Sequence, residues 1–148
     1  MLLLTKIFTF EMAHAIDGYN GMCKNIHGHS YKLHVTVGAP CNEEEFIAPP
    51  GFLLDFKDLK KIVTTAVVEL FDHKLVLSQN YIAKHPEVNE QENLVIWQAE
   101  PTAENLLLYM KQLIKKELPP PVELLEMKLY ETQNSYATWR AGEFIATS

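Results

Sequence analysis

The segment MCKNIHGHSY, residues 22–31, sets one of the chain's two cysteines and two of its six histidines within seven positions. Residues two apart on a strand project from the same face. His27 and His29 can therefore offer both imidazoles to one ion at the roughly 2.0–2.1 Å of a zinc–nitrogen bond. His14 ends the apolar parity of an upstream alternating segment and is the natural third ligand if the two segments pair antiparallel. Three neutral imidazoles leave a tetrahedral ion one open position, the arrangement of a catalytic rather than a structural zinc site. Taken singly, each histidine reads as an ordinary core or surface residue; the shared phase of the trio favours a metal.

Cys23 precedes the histidine pair by four positions, so its sulfur either ligates the ion or stands close beside it. In the second case a nearby dication favours thiolate over thiol, giving a base or nucleophile at neutral pH. Read alone it is a small buried hydrophobe, and Cys41, in APCNEEE, has only that reading or an exposed-loop one. In FDHK, Asp72 adjoins His73, where a carboxylate can orient an imidazole and raise its basicity. Adjacent side chains on a regular helix diverge by about 100°, so this pair requires the chain to be leaving its helix. Glu131 closes a strand face that runs Leu125, Met127, Leu129. A carboxylate at the tip of an apolar row either emerges into water or meets a buried donor. His34 has the opposite parity and reads as solvent-facing; His85, in KHPE, reads as a histidine without a partner.

The elements that must position these groups follow from periodicity. Leu4, Phe8, Phe10, Met12 and His14 share one parity, and residues 27–37 alternate more cleanly, so both segments read as half-buried strands. A helix is expected from its cap Asp55 to about Phe71, with Leu59, Ile62, Val63, Ala66, Val67 and Leu70 at helical spacing. A long connection with a short strand at LVIW follows. Thr102 then caps a second helix, with Leu106, Met110, Leu113 and Ile114 facing inward, until LPPP stops it. Strands at roughly Val122 to Glu131 and Ser135 to Glu143, joined by a turn at TQN, complete the order ββααββ. That order implies an α+β fold, one four-stranded antiparallel sheet with two helices packed on one face. Its edge strands invite pairing with other copies, so an oligomer is expected.

At 148 residues and 47% hydrophobic content, the chain suits a single globular domain spanning 1–148. No apolar run approaches the roughly 20 residues of a membrane span. The opening MLLLTKIFTF lacks the basic start and long apolar core of a leader, and the few cysteines form no disulfide framework. A cytoplasmic protein with no membrane partner is expected. The formal charge of −6 and a single arginine, Arg140, argue against nucleic acid as a partner. A small anionic ligand stays open and needs a local basic pocket.

The segments FTFEMAH, CKNIHGHSY, LLDFKDLK, LFDHKLVL, EPTAENLL and LYETQNSYATW occur in one order along the chain. In that order they resemble the family of 6-pyruvoyl-tetrahydropterin and 6-carboxytetrahydropterin synthases. The resemblance implies the tunnelling fold (T-fold), homohexamers built from two trimers, and sites between subunits. It implies His14, His27 and His29 as zinc (Zn2+) ligands and Cys23 as the proton-abstracting base. His73, paired with Asp72, is implied as the partner that relays or donates protons. Glu131 of YET would hold the amino and ring N–H groups of a pterin by charge-assisted hydrogen bonds, with Thr102 of PTAEN a further ring contact. Lys24, Lys74 and Arg140 are candidate cations for a triphosphate tail.

Within that family, one branch converts 7,8-dihydroneopterin triphosphate to 6-carboxy-5,6,7,8-tetrahydropterin, releasing acetaldehyde and triphosphate on the route to queuosine and other deazapurines. Another eliminates triphosphate to reach the 6-pyruvoyl group, on the route to tetrahydrobiopterin. The spacing Cys23-x-x-x-His27-Gly28-His29 resembles the 6-carboxy branch, because the animal 6-pyruvoyl enzymes carry a longer spacer. A third branch, which leaves a hydroxymethyl group, has Glu near the cysteine position, and Cys23 argues against it. A non-catalytic metal- or pterin-binding protein is the reading from another class. The chain departs from the family pattern at Met12, where small residues are more usual. It departs again in the long connection from Ser78 to Glu100, which leaves open what covers the pocket.

Overall fold

The two strands that carry the histidines pair with each other along their whole length. In the structure, a computed structural model that describes residues 1–142, β1 (Leu2–His14) and β2 (His27–Ala39) run antiparallel. Their alternation becomes one buried face, with Phe8, Phe10, Met12, Tyr31, Leu33, Val35 and Val37 in the core. Met12, the departure noted above, is only 3% exposed and packs there as an ordinary core residue.

Helix α1 (Phe56–Val63) starts where expected, with the Asp55 carboxylate accepting the Lys57 amide at 2.8 Å. It passes through a π-helical turn (Thr64–Val68) into α2 (Glu69–Phe71). The buried residues of this run are Leu59, Val63, Val67 and Phe71, each four after the last. On a regular α-helix a four-residue step rotates the face by about 40°. The wider π turn winds that rotation back and keeps Phe71 on the core. The same correction leaves Leu70, expected inside, 43% exposed.

Two short strands follow that the order ββααββ lacks or understates: β3 (Lys74–Ser78) and, after α3 (Gln79–Lys84), β4 (Leu94–Trp97). Helix α4 (Ala103–Lys115) is capped by Thr102, whose hydroxyl accepts the Asn105 amide at 3.1 Å. The hairpin of β5 (Glu123–Thr132) and β6 (Ser135–Arg140) is the last among the described residues. The last expected strand residue, Glu143, lies outside the described residues.

The sheet has six strands in the order β4-β3-β1-β2-β5-β6. The expected four-stranded antiparallel sheet is therefore corrected to a mixed one. Strands β1, β2, β5 and β6 are antiparallel, while β3 lies parallel to β1 and β4 parallel to β3. The reason β3 escapes a sequence reading is physical. Leu75, Val76 and Leu77 are all buried, as befits a parallel strand covered on both faces, so no alternation marks it. Leu106, Met110 and Ile114 of α4 join Leu59, Val63 and Val67 over the face formed by β1, β2 and β5. Among the described residues no helix is long and apolar enough to cross a membrane.

Candidate metal centre and pocket

Pairing of β1 with β2 sets His14 opposite His27 and Met12 opposite His29, so three imidazoles gather at one end of the ladder. Their ring centroids lie 4.7, 5.2 and 4.8 Å apart, and one nitrogen from each falls within 4.8 Å of the others. The hydrogen bonds settle which nitrogen is bare. His14 Nδ1–H donates to the Pro101 carbonyl and His27 Nδ1–H to the Asn25 carbonyl, each at 2.7 Å. A carbonyl only accepts, so in the neutral imidazole form, the form that ligates a metal, both Nε2 atoms carry lone pairs.

Those two lone pairs face each other at 3.1 Å. They repel unless a cation lies between them. His29 Nε2 is buried with no hydrogen-bond partner, a condition that costs about 1–3 kcal/mol when nothing relieves it. Ligands of a tetrahedral zinc at about 2.0–2.1 Å stand about 3.4 Å apart. The donor set fits a metal ion, with backbone carbonyls fixing two of the three rings as second partners do in metal sites. Cys23 is not among the groups that converge.

Aromatic rings support the imidazoles. Tyr31 is fully buried, stacks on Phe10 at 5.2 Å and places its hydroxyl 3.4 Å from His14 Nδ1. Burial, reinforced by the Glu131 carboxylate, pushes the Tyr31 hydroxyl far above its usual range and keeps it neutral. Glu131 ends β5's inward row and turns its carboxylate to the histidines, with Oε1 3.7 Å from His29 Nε2 and Oε2 3.9 Å from His14 Nε2. Of the two environments open to it, Glu131 takes the half-buried one, facing the imidazoles without hydrogen-bonding them.

Burial holds the imidazoles of His14 and His29 below the usual histidine range, with Glu131 opposing that effect. Neutral imidazole is the ligating form. In the metal-free protein the unfolded chain takes up protons that the folded chain refuses once pH falls through the unperturbed value near 6.5. The stability these two groups contribute is complete above that value and is lost progressively below it. The urea midpoint of the metal-free protein is expected to fall between about pH 7.5 and about pH 5.5. The His14→Ala variant should show a shallower decline; equal slopes would refute this origin.

A cavity of about 600 Å³ opens beside the histidines, lined by His14, Cys23, Thr102, Glu104, Glu131 and Tyr136 among others. Cys23 sits in a short 3-10 turn (Met22–Lys24) and is half-buried; its carbonyl accepts the Ile16 amide at 2.8 Å, which closes the β1–β2 loop. Thr102 reaches the cavity from the start of α4, next to the Pro101 carbonyl that orients His14. Glu104 was not singled out from the sequence. An acidic residue in the first helical turn is adequately explained by the helix dipole, which masks any further use.

Asp72 and His73 lie elsewhere. The chain does leave its helix here: Asp72 is extended, His73 has a φ of 63°, and His73 Nδ1 stands 3.0 Å from Asp72 Oδ1. The Glu11 amide donates to Asp72 Oδ1 at 2.9 Å and, with the His73 contact, holds the Asp72 carboxyl below its usual range. The largely exposed His73 lines a second cavity of about 350 Å³ with Lys74, Asn93, Ser30 and His29. One chain therefore does not bring His73 into the cavity that holds Cys23. Lys24 lines a third recess, and the Arg140 guanidinium donates to Glu126 at 2.7 Å.

Two other histidines need correction. His85 is not without a partner: it stacks on Tyr81 at 4.2 Å, and its Nδ1–H donates to the Tyr81 carbonyl at 3.1 Å. His34 is only partly solvated. It lies 5.1 Å from the Tyr130 ring, and burial, with Lys128 and Lys32 adding to it, holds its pKa down.

Fold and pocket together define an α+β protein whose sheet presents a three-histidine centre fit for a metal ion. Residues 3–142 match the family model described as 6-pyruvoyl tetrahydropterin synthase, and the chain belongs to that enzyme family. It is 31% identical over 140 residues to the 6-carboxy-5,6,7,8-tetrahydropterin synthase of Rickettsia typhi, covering 92% of this chain and 98% of that one. It is 38% identical over 79 residues to the protein of the same name from Haemophilus influenzae, a match spanning 53% of this chain and 55% of that relative. The fold is similar to that of Caenorhabditis elegans 6-pyruvoyl tetrahydropterin synthase, with a TM-score of 0.66, 21% identity, and 95% and 96% of the two chains covered.

Proposed function

We propose that the protein is a zinc-dependent lyase that converts 7,8-dihydroneopterin triphosphate to 6-carboxy-5,6,7,8-tetrahydropterin, releasing acetaldehyde and triphosphate. The observation that carries this reading is that three imidazoles converge on one point and that one of them, His14, lines the cavity that also holds Cys23 and Glu131. The four-position step from Cys23 to His27 and the names of the bacterial relatives favour the 6-carboxy outcome.

His14, His27 and His29 would hold the zinc, which would supply a Lewis acid to acidify side-chain hydroxyls and the neighbouring C–H bonds. Cys23, half-buried on the wall of the same cavity, would take the proton. Glu131 accepts the amino and ring N–H groups of the pterin in charge-assisted hydrogen bonds, and the Thr102 hydroxyl adds a ring contact. His73, oriented by Asp72, returns the proton. Because Cys23 and His73 line different cavities of one chain, the His73 of a neighbouring subunit completes each site in a homohexamer of the family type.

The second reading, 6-pyruvoyl-tetrahydropterin synthase, is favoured by the description of the family model itself. Incubating the zinc-loaded protein with 7,8-dihydroneopterin triphosphate separates the two: equimolar acetaldehyde with the 6-carboxy product is expected. A 6-pyruvoyl product without acetaldehyde would establish the second reading. Binding of zinc and pterin with no product of either kind would leave a non-catalytic binding protein.

A further inference from the structure

The metal-side cavity does not end at Tyr19. Ile16 and Tyr19 also line a recess of about 590 Å³ whose other walls are Asp17, Asn20, Lys24, Asn25, Tyr81 and His85. Two spaces that share a wall of the same loop suit one ligand with two chemically different ends. The recess is built for the polar end, since amides, an ammonium and an imidazole replace the Thr102 and Tyr136 of the first cavity.

We infer that this recess binds the triphosphate tail of the substrate through Lys24 and His85, an assignment that rests on the pterin-triphosphate reading above. Lys24 directly follows Cys23 in the Met22–Lys24 turn, so the proposed base and the proposed anchor are adjacent residues lining adjacent spaces. Among the described residues no carboxylate forms an ion pair with Lys24. Asp17, the acid in the recess, is already neutralised by Lys84, whose Nζ lies 3.0 and 3.2 Å from its two oxygens. The Asp17 amide is separately held by Glu100 at 2.7 Å.

His85 completes the recess from the far side. Its stack on Tyr81 and the hydrogen bond from Nδ1 fix the ring and leave Nε2 as its remaining polar atom. With Nδ1–H committed, Nε2 is the atom the ring can present to a phosphate, as a donor in the imidazolium form. The charged groups around it are Lys84 on α3, Glu87 just beyond, whose charge acts on the Tyr81 hydroxyl, and Asp17 and Lys24 from the β1–β2 loop. The other candidate cations are placed differently: Lys74 lines the His73 cavity and Arg140 holds Glu126. The connection from Ser78 to Glu100 thus acquires a use, because α3 and His85 wall the recess.

The test compares two ligands on zinc-loaded protein in a Cys23→Ala background, which slows turnover enough for binding to be read before it. Equilibrium dissociation constants are measured for 7,8-dihydroneopterin triphosphate and for phosphate-free 7,8-dihydroneopterin, and their ratio reports what the tail contributes. Adding Lys24→Ala is expected to reduce that ratio about tenfold and His85→Gln about threefold, the scale of losing charge-assisted hydrogen bonds. The phosphate-free constant should stay within about twofold, which also verifies that each variant is folded. If dihydroneopterin binds but the ratio is unchanged in both variants, the recess assignment is overturned while the pterin reading stands. If neither pterin binds, the pterin reading falls and this assignment with it.

Discussion

Replacing His14 with alanine is expected to abolish metal retention and turnover together. His14 is 2% exposed, faces His27 Nε2 at 3.1 Å and is held by the Pro101 carbonyl at 2.7 Å, so its ring is fixed with Nε2 towards the shared centre. Loss of a partner that merely orients a ligand costs 10- to 100-fold in metal affinity; loss of the ligand itself should exceed about 100-fold. Stabilisation by the metal should fall in step. Free zinc at about 1,000 times the parent's dissociation constant adds about 4 kcal/mol to the parent protein, and a 100-fold loss of affinity leaves the variant at most about 1.4 kcal/mol, with a correspondingly smaller zinc-dependent rise in Tm. Because His14 is also a packing residue, His27→Ala is the companion. His27 is only half-buried, so it should lose metal equally while keeping the metal-free Tm of the parent. Stoichiometric metal in either variant after dialysis would sink the three-histidine assignment.

The centre was legible because a strand's two-residue period is rigid. Once His27 and His29 share parity with Tyr31 and Leu33, only the pairing register is needed to add His14, and the structure supplies it by setting His14 opposite His27 across the loop of residues 15–26. Helix caps were equally plain, since Asp55 and Thr102 act through local hydrogen bonds to their own helices. What could not be read depends on distant parts of the chain. Strand β3 has no alternation because β1 and β4 flank it and both its faces are buried. The π turn exists to keep Phe71 over the core, a demand that Leu70 and Phe71 do not announce in their own residue types. His85 gains its role from Tyr81 and from a loop some sixty residues earlier. Glu104 hid behind its local value in the first turn of α4.

The separation of Cys23 from His73 yields the second large effect. Cys23→Ala removes the proposed base and His73→Ala the proposed proton donor, so each variant alone is expected to lose about 10²- to 10⁴-fold in kcat, the range of general acid–base contributions. Neither residue belongs to the convergent imidazole set, so zinc content should remain that of the parent in both. The informative experiment mixes the two variants. If every site takes Cys23 from one subunit and His73 from its neighbour, random exchange of subunits at equal amounts gives about one site in four with both groups intact. Denaturing and refolding the two variants together should therefore restore about a quarter of the parent's activity. Refolding each variant alone, followed by mixing without exchange, should restore none. If both groups instead served one pocket of the same chain, each subunit would keep its own lesion and no co-refolded mixture would recover. The distinct cavities lined by Cys23 and His73 predict recovery. Exposure points the same way: His73, with 78% of its side chain open to solvent in the isolated chain, is placed where an incoming subunit can cover it.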